Sequence, residues 1–285
     1  MTKETNTERF LSEKKRRPPR YFSWVYRFSY HVARIPVALV TRPEWSGQEY
    51  LPKTGGFITI SNHVTEADSL TFMHYMLEGG VPPRVLCKEE LFRVPVLGWI
   101  LRKCGQIPVK RDTKEAGGVL DVAARALAYG ECVAMFPEGT LTRDPDYWPM
   151  KPKNGVARLA LRTRVPVIPV AQWGAQDILD RYSRRPRVWP PKKVQVHALP
   201  PVDLADLYEH ADKHWAWEEA SRRMMAPIIA RLEDIRGETA RERMWDRKVD
   251  GDLGKKGLAQ MEKQWALDEP GLPSLRRSKH PLKGQ

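Results

Sequence analysis

Between Gly55 and Leu199, short apolar runs of strand length alternate with stretches of helical periodicity. This alternation confines the chain to the α/β class: a central, largely parallel sheet flanked by helices. The expected strands are Phe57–Ser61, Arg84–Lys88, Gln106–Val109, Cys132–Phe136, Val165–Val170 and Val194–Leu199. The helices expected between them are Leu70–Leu77, Val94–Cys104, Glu115–Tyr129 and Gly155–Leu161. In the third of these, Leu120, Ala123, Ala124 and Leu127 share one face. In such a fold, ligands bind in the loops at the carboxyl ends of the strands. No internal repeat interrupts the pattern.

With 285 residues, 41% of them hydrophobic, the chain has material for a substantial core in one large or two small domains, which excludes a disordered protein. Lys and Arg number 48 against 35 Asp and Glu, a net +13 that points to an anionic partner: nucleic acid, a membrane surface or a phosphorylated substrate. No helix-turn-helix, zinc-finger or RNP signature accompanies the charge, so nucleic acid is not expected as a partner. Three cysteines without a C-x-x-C spacing do not make a disulfide framework, and a reducing compartment is expected. The longest uncharged stretches, Thr54–Thr65 and Val165–Gln176, run twelve residues. A membrane-crossing helix needs about 20. No apolar segment of signal-peptide type follows Met1, and Pro18 and Pro19 disfavour a twin-arginine reading of Arg16-Arg17.

Four regions are expected. Residues 1–20 form a basic, flexible N-terminus, 21–41 an amphipathic helix, 42–236 the α/β domain, and 237–285 a charged helix and tail. In the second region, Tyr21, Phe22, Trp24, Tyr26, Phe28 and Tyr30 crowd ten positions, while Arg20, Arg27 and Arg34 recur every seven. Seven residues are two helical turns, so the arginines share a stripe, which suits a membrane-interfacial helix. The plainer alternative is a helix packed on the domain with solvated arginines. Asp203–Arg236 is expected to be helical, with Trp215 and Trp217 packing on the core.

The sharpest chemical signal is Asn62-His63-Val64-Thr65-Glu66-Ala67-Asp68. It places an imidazole at a strand end and a carboxylate five residues on, in the first turn of the next helix. Asp68 then holds one ring nitrogen as donor and leaves the other as acceptor: a general base with an orienter, without a protein nucleophile. Alone, this spacing is weak. Three further blocks follow in order: Gly105-Gln106-Ile107-Pro108-Val109-Lys110-Arg111, Phe136-Pro137-Glu138-Gly139-Thr140, and Val165-Pro166-Val167-Ile168-Pro169-Val170. Each is bland by itself: a solvated arginine, an ordinary turn, a buried strand.

Together, the four ordered blocks resemble the glycerolipid acyltransferases, specifically the 1-acyl-sn-glycerol-3-phosphate acyltransferase (PlsC-type) group. The resemblance covers about residues 20–200. It implies transfer of a fatty acyl group from acyl-CoA or acyl carrier protein to the sn-2 hydroxyl of 1-acyl-glycerol-3-phosphate (lysophosphatidic acid), giving phosphatidic acid. The bottom-up reading agrees. A thioester is already activated, so the acceptor hydroxyl needs only a base, and an imidazole titrating near 6.5 suits that task. His63 is expected as base, Asp68 as its orienter, and Asn62 as an oxyanion or positioning group.

The resemblance also implies that the second and third blocks hold the glycerol phosphate. Arg111 is expected on the phosphate, its planar fork matching two oxygens. Glu138 is expected to orient Arg111 or to accept a hydrogen bond from the acceptor, with Gly139 and Thr140 as donors. The pattern departs after Thr140: a basic residue often follows in the family, whereas this chain has Leu141-Thr142-Arg143. Either Arg143 replaces that cation or the acceptor differs. Lys151 and Lys153 are further phosphate contacts or solvated lysines. The basic stretch of residues 181–193 is a solvated loop or meets coenzyme A phosphates, a carrier protein or anionic lipid. His210 and His214 have helical metal-ligand spacing without a third ligand, and neither a metal nor a cofactor is expected. The expected setting is an anionic membrane surface, with a peripheral or monotopic protein on the cytoplasmic face. The competing readings are the same chemistry on another lysophospholipid or a glycolipid, and a basic membrane- or nucleic-acid-binding protein without catalysis.

Overall fold

The structure, a computed structural model, describes residues 22–109, 116–252, 254 and 257. The basic N-terminus, Arg111 with the loop around it, and most of the C-terminal tail lie outside the described residues.

Among the described residues the strands are β1 (Thr41–Ser46), β2 (Phe57–Ser61), β3 (Arg84–Lys88), β4 (Ile107–Val109), β5 (Cys132–Met135), β6 (Val167–Trp173) and β7 (Lys192–Ala198). They form one sheet in the order β1-β7-β6-β2-β5-β3-β4. All neighbours are parallel except β6 and β7, which pair antiparallel from Val170↔Ala198 to Trp173↔Gln195. The helices are α1 (Trp24–Val40), α2 (Asp68–Glu78), α3 (Pro95–Lys103), α4 (Ala116–Ala128), α5 (Gly155–Thr163), α6 (Ala175–Ile178) and α7 (His214–Arg236).

β2 is buried at all five positions because helices cover both faces of the sheet, and it accordingly reads as an unbroken apolar-rich run. Its side chains alternate between two cores. Ile58 and Ile60 join α4, α5 and α7 on one face, while Phe57 joins Phe72, Tyr75 and Met76 of α2 on the other. α1 lies outside α2 as a further layer. There Ser23 Oγ accepts from Tyr26 N at 3.1 Å and donates to Lys103 O at 3.1 Å, and Tyr26 Oη donates to Pro83 O at 3.0 Å.

The expected largely parallel α/β architecture is what the structure has, with four differences. β1 is an additional strand: Thr-Arg-Pro-Glu-Trp-Ser carries no apolar run because it is an edge strand, where charge and proline are tolerated. The aromatics at the N-terminus divide, with Tyr26 turned inward and Trp24 and Phe28 outward, so one face of α1 packs on the domain as in the plainer alternative. The stretch expected as one helix from Asp203 breaks into a 3-10 turn at Ala205–His210 followed by α7. Trp217 packs against the core there, its Nε1 donating to Ala211 O, while Trp215 stays exposed. Residues 238–252 are irregular rather than helical and fold back on the domain: Lys151 N donates to Trp245 O at 2.9 Å, and Arg241 pairs with Asp144 and Asp146. No described helix is long and apolar enough to cross a membrane.

Candidate active site

β2, β5 and β3 run parallel, so the loops after them open on one edge of the sheet. At that edge β2 gives way to Asn62 and His63. The Asn62 carboxamide is wholly buried and locked against β6: its Nδ2 donates to Gln172 O at 2.9 Å and its Oδ1 accepts from Gln172 N at 3.0 Å. A side chain enclosed in this way holds the strand end in place. It has no route to a developing oxyanion, so of the two roles expected for Asn62, positioning is the one its geometry allows.

His63 is held from four directions. Its Nδ1 lies 3.2 Å from Asp68 Oδ2. That oxygen also accepts from Val64 N at 2.5 Å and Thr65 N at 2.8 Å, which ties the loop to the first residue of α2. A carboxylate taking two backbone N–H groups is an acceptor here, so the network assigns the proton to Nδ1 and the lone pair to Nε2. The imidazole stacks on Phe136 with ring centres 4.1 Å apart, and Phe136 meets Phe72 edge-on. The His63 N–H donates to Glu138 Oε1 at 2.9 Å, and its carbonyl accepts from Thr142 N at 2.7 Å.

Of the two roles expected of Glu138, the orienting of Arg111 lies outside the described residues, and its carboxylate oxygens are turned to backbone amides rather than to an acceptor. Only 1% exposed, Glu138 bridges two backbone amides: His63 N–H on Oε1 and Met150 N–H on Oε2 at 3.1 Å. Burial pushes its carboxyl up to about 8, against the pull of those two N–H groups. Gly139 turns the chain at φ +71°, a conformation that favours glycine, and the aliphatic stem of Lys153 covers it. Thr140 is half-buried. Thr142 Oγ1 donates to Trp148 O at 2.6 Å, and Arg181 Nη1 donates to the carbonyls of Thr142 (2.5 Å) and Asp144 (2.8 Å). Burial lowers the Arg181 guanidinium from its ordinary value.

Arg143, the expected substitute cation, turns elsewhere. Its Nε donates to Asp252 Oδ1 at 2.8 Å and its guanidinium lies over the Tyr182 ring. The 181–193 stretch is not a single basic surface, since Arg181 is buried beneath the loop after Glu138 while Arg184, Arg185 and Arg187 are exposed. Lys151 pairs with Asp246 and borders a cavity of about 520 Å³ between residues 151–154, α7 and residues 243–249. His214 pairs with Glu218 and His210 meets Trp215 at a tilt, with ring centres 4.9 Å apart; no grouping of three metal-ligating side chains occurs among the described residues. The structure thus brings His63, Asp68, Glu138 and Thr142 together, while Arg111 lies outside the described residues. Phe136, Thr142 and Met150 were not singled out from sequence as positioning residues. Phe136 and Thr142 do sit within or just beyond the Phe-Pro-Glu-Gly-Thr block, whereas nothing local marks Met150, and Arg181 stands out in the sequence only as the first member of the basic stretch 181–193.

Residues 42–173 match the family model described as Acyltransferase. These residues are similar to the acyltransferase family over just under half of the chain. The chain is 28% identical over 163 residues to the chloroplastic 1-acyl-sn-glycerol-3-phosphate acyltransferase of Brassica napus, covering 55% of this chain and 46% of that protein. It is 26% identical over 192 residues to the 1-acyl-sn-glycerol-3-phosphate acyltransferase of Borreliella burgdorferi, covering 67% and 72%. To the alpha form from Bos taurus it is 30% identical over 168 residues, covering 58% and 56%. The chain thus spans about half the length of two of these three relatives. The crystal structure of the 1-acyl-sn-glycerophosphate acyltransferase PlsC from Thermotoga maritima superposes with a TM-score of 0.55 over 83% of this chain and 97% of that one, at 20% identity, a likeness of fold. The matched residues contain the His63 loop, the Phe136–Thr140 block, β2 to β6 and all of β1 but Thr41.

Proposed function

We propose that this protein is an acyltransferase that moves a fatty acyl group from an acyl thioester, coenzyme A or carrier protein, to the sn-2 hydroxyl of 1-acyl-glycerol-3-phosphate, forming phosphatidic acid. The observation that carries the reading is the four-sided restraint on His63, with Asp68 on Nδ1 and the lone pair left on Nε2. In the proposed step, Nε2 takes the proton of the acceptor hydroxyl as its oxygen attacks the thioester carbonyl carbon. The C–S bond then breaks and the leaving thiolate receives the proton. Neither a metal nor a cofactor enters this balance, because the thioester supplies the activation. The names of the three relatives support lysophosphatidic acid as acceptor. The exposed apolar face of α1 supports a peripheral setting on a membrane, the net +13 charge supports an anionic one, and the free Cys87, Cys104 and Cys132 support its cytoplasmic face.

A second reading keeps the chemistry and changes the acceptor to another lysophospholipid or a glycolipid. It is favoured by Leu141, which stands where the family pattern often has a cation, and by the pairing of Arg143, the candidate substitute two positions on, with Asp252. Both readings are tested by labelled acyl-CoA and acyl carrier protein offered with a panel of 1-acyl-glycerol-3-phosphate, glycerol-3-phosphate, other lysophospholipids and a glycolipid. Label in phosphatidic acid, reduced about 10²–10⁴-fold in His63→Ala, is the expected result. Full activity in that variant sinks the base assignment, and transfer only to another acceptor selects the second reading.

A further inference from the structure

α1 carries an apolar stripe on the side away from the domain. Trp24, Phe28, Val32, Ile35 and Leu39 recur at steps of four, four, three and four, and all are exposed. The face opposite, with Tyr26 buried and Tyr30 half-buried, packs on α2 and α3. α3 lies against the first turns of α1, joined by the Ser23–Lys103 hydrogen bond and a small core of Tyr26, Cys104 and Ile100. It exposes a second apolar patch together with the connection from β3: Leu91, Val94, Val96, Leu97 and Trp99, with Val96 72% and Trp99 45% exposed. This outward aim is built in. A Cβ on Gly98 would sit 2.1 Å from Phe92 O, so only glycine lets the connection fold under α3, with Phe92 buried beneath it.

Two further features say what covers this patch. Neither α1 nor α3 contains an Asp or Glu; the connection carries Glu89 and Glu90, with Arg93 within 3.8 Å of Glu89, but Lys88, Arg93, Arg102 and Lys103 outnumber them and Arg27 adds a cation on α1, so the apolar surface keeps a net cationic margin. Such a surface complements an anionic bilayer, and tryptophan in both patches suits its interfacial layer. The patch also rises from a defined place. β3 is the parallel neighbour of β5, which is the parallel neighbour of β2, and the connection bearing Leu91 and Val94 leaves the end of β3 on the edge where His63 and Glu138 leave β2 and β5.

We infer that the β3–α3 connection and the first turn of α3 form a second lipid-contacting element, beside α1, which seats the His63 edge of the sheet on an anionic phospholipid surface. This rests on the lipid-acceptor reading above and adds to it the face by which the domain meets the lipid. The acceptor then reaches His63 from the bilayer without crossing bulk water.

The experiment uses the full chain with phosphatidylcholine vesicles, with and without phosphatidylglycerol. It compares Val96→Ser/Trp99→Ser on α3 with Phe28→Ser/Ile35→Ser on α1, and circular dichroism and melting establish that each variant is folded. The α3 variant is expected to partition onto anionic vesicles about tenfold less than wild type although α1 is intact. Brominated lipid is expected to quench wild type more than Trp99→Phe. If the α3 variant partitions normally while the α1 variant does not, this inference falls and the membrane reading stands. If neither variant loses partitioning, both fall. If the α3 substitutions leave partitioning intact but abolish a dimer seen by light scattering, the patch is an interface between copies and the inference is overturned. Should the double variant misfold, Val96→Ser alone, at the most exposed position of the patch, is expected to show the same direction.

Discussion

A single imidazole is fixed here by contacts from separate stretches of chain: Asp68 on the ring nitrogen, Phe136 on the ring face, Glu138 and Thr142 on the backbone. The restraint most open to test is Glu138, because both its oxygens accept and glutamine can accept with only one. Glu138→Gln leaves one buried amide facing an NH2 group, expected to cost about 1–3 kcal/mol of stability and to lower kcat through a displaced His63. The pH dependence gives an independent readout. The folded carboxyl is raised to about 8 while the unfolded one titrates near 4.3. Between those values the folded protein holds the extra proton. The contribution of Glu138 is therefore greatest below the unfolded value and falls as pH rises towards about 8. Melting temperatures between pH 6 and pH 9 should decline more in wild type than in Glu138→Gln, and equal declines would remove Glu138 as the cause. The role of this residue was hidden in the sequence because a motif glutamate reads as a substrate contact. Only the distant Met150, which shares its second oxygen, reveals a brace.

At the level of elements, β3 is tied to its neighbours by a buried ion pair. Arg84 Nε donates to Glu131 Oε2 at 2.7 Å and Arg84 Nη1 to Cys104 O at 2.5 Å, joining the start of β3 to the approaches of β5 and β4. Arg84→Ala leaves the Glu131 carboxylate buried without this partner, and a loss of about 3–5 kcal/mol is expected in urea unfolding. Arg84→Met combined with Glu131→Leu should recover most of it; if the double variant is as unstable as the single, the pair is not the cause. Which elements were legible follows from where they lie. β2, β3 and β5 are interior strands, and their apolar runs matched to within a residue. β1 is a polar edge strand and left no periodic trace. The boundary inside Asp203–Arg236 was lost because a 3-10 turn keeps nearly the same apolar spacing as the helix it precedes.

For the molecule as a whole, the segment after α7 acts as a strap across the loop that restrains His63. Arg241 reaches the buried Asp144 at 3.1 Å and Asp146 at 2.6 Å, and Trp245 accepts from Lys151 next to the Met150 amide that Glu138 holds. Burial raises the Asp144 carboxyl, and Arg241 opposes that rise. Arg241→Ala is expected to lower the melting temperature by several degrees, about 1–2 kcal/mol for a partly exposed pair with a buried carboxylate. An unchanged melt would show the strap to be loosely attached. The order of strands beyond β6 was not legible, because apolar alternation is blind to direction and says nothing of the reversal at β7. That reversal bears on how the chain assembles. Among the described residues β1 pairs with β7 alone, Thr41 opposite Lys192 and Ser46 opposite His197. Of the described strands, the first to leave a ribosome therefore waits for the last before it gains a neighbour. Closure of so long a loop comes late in folding, after β2 to β6 have found one another. Until then α1 and β1 hang from a nearly finished sheet, and the edge of β6 that β7 will cover stands open.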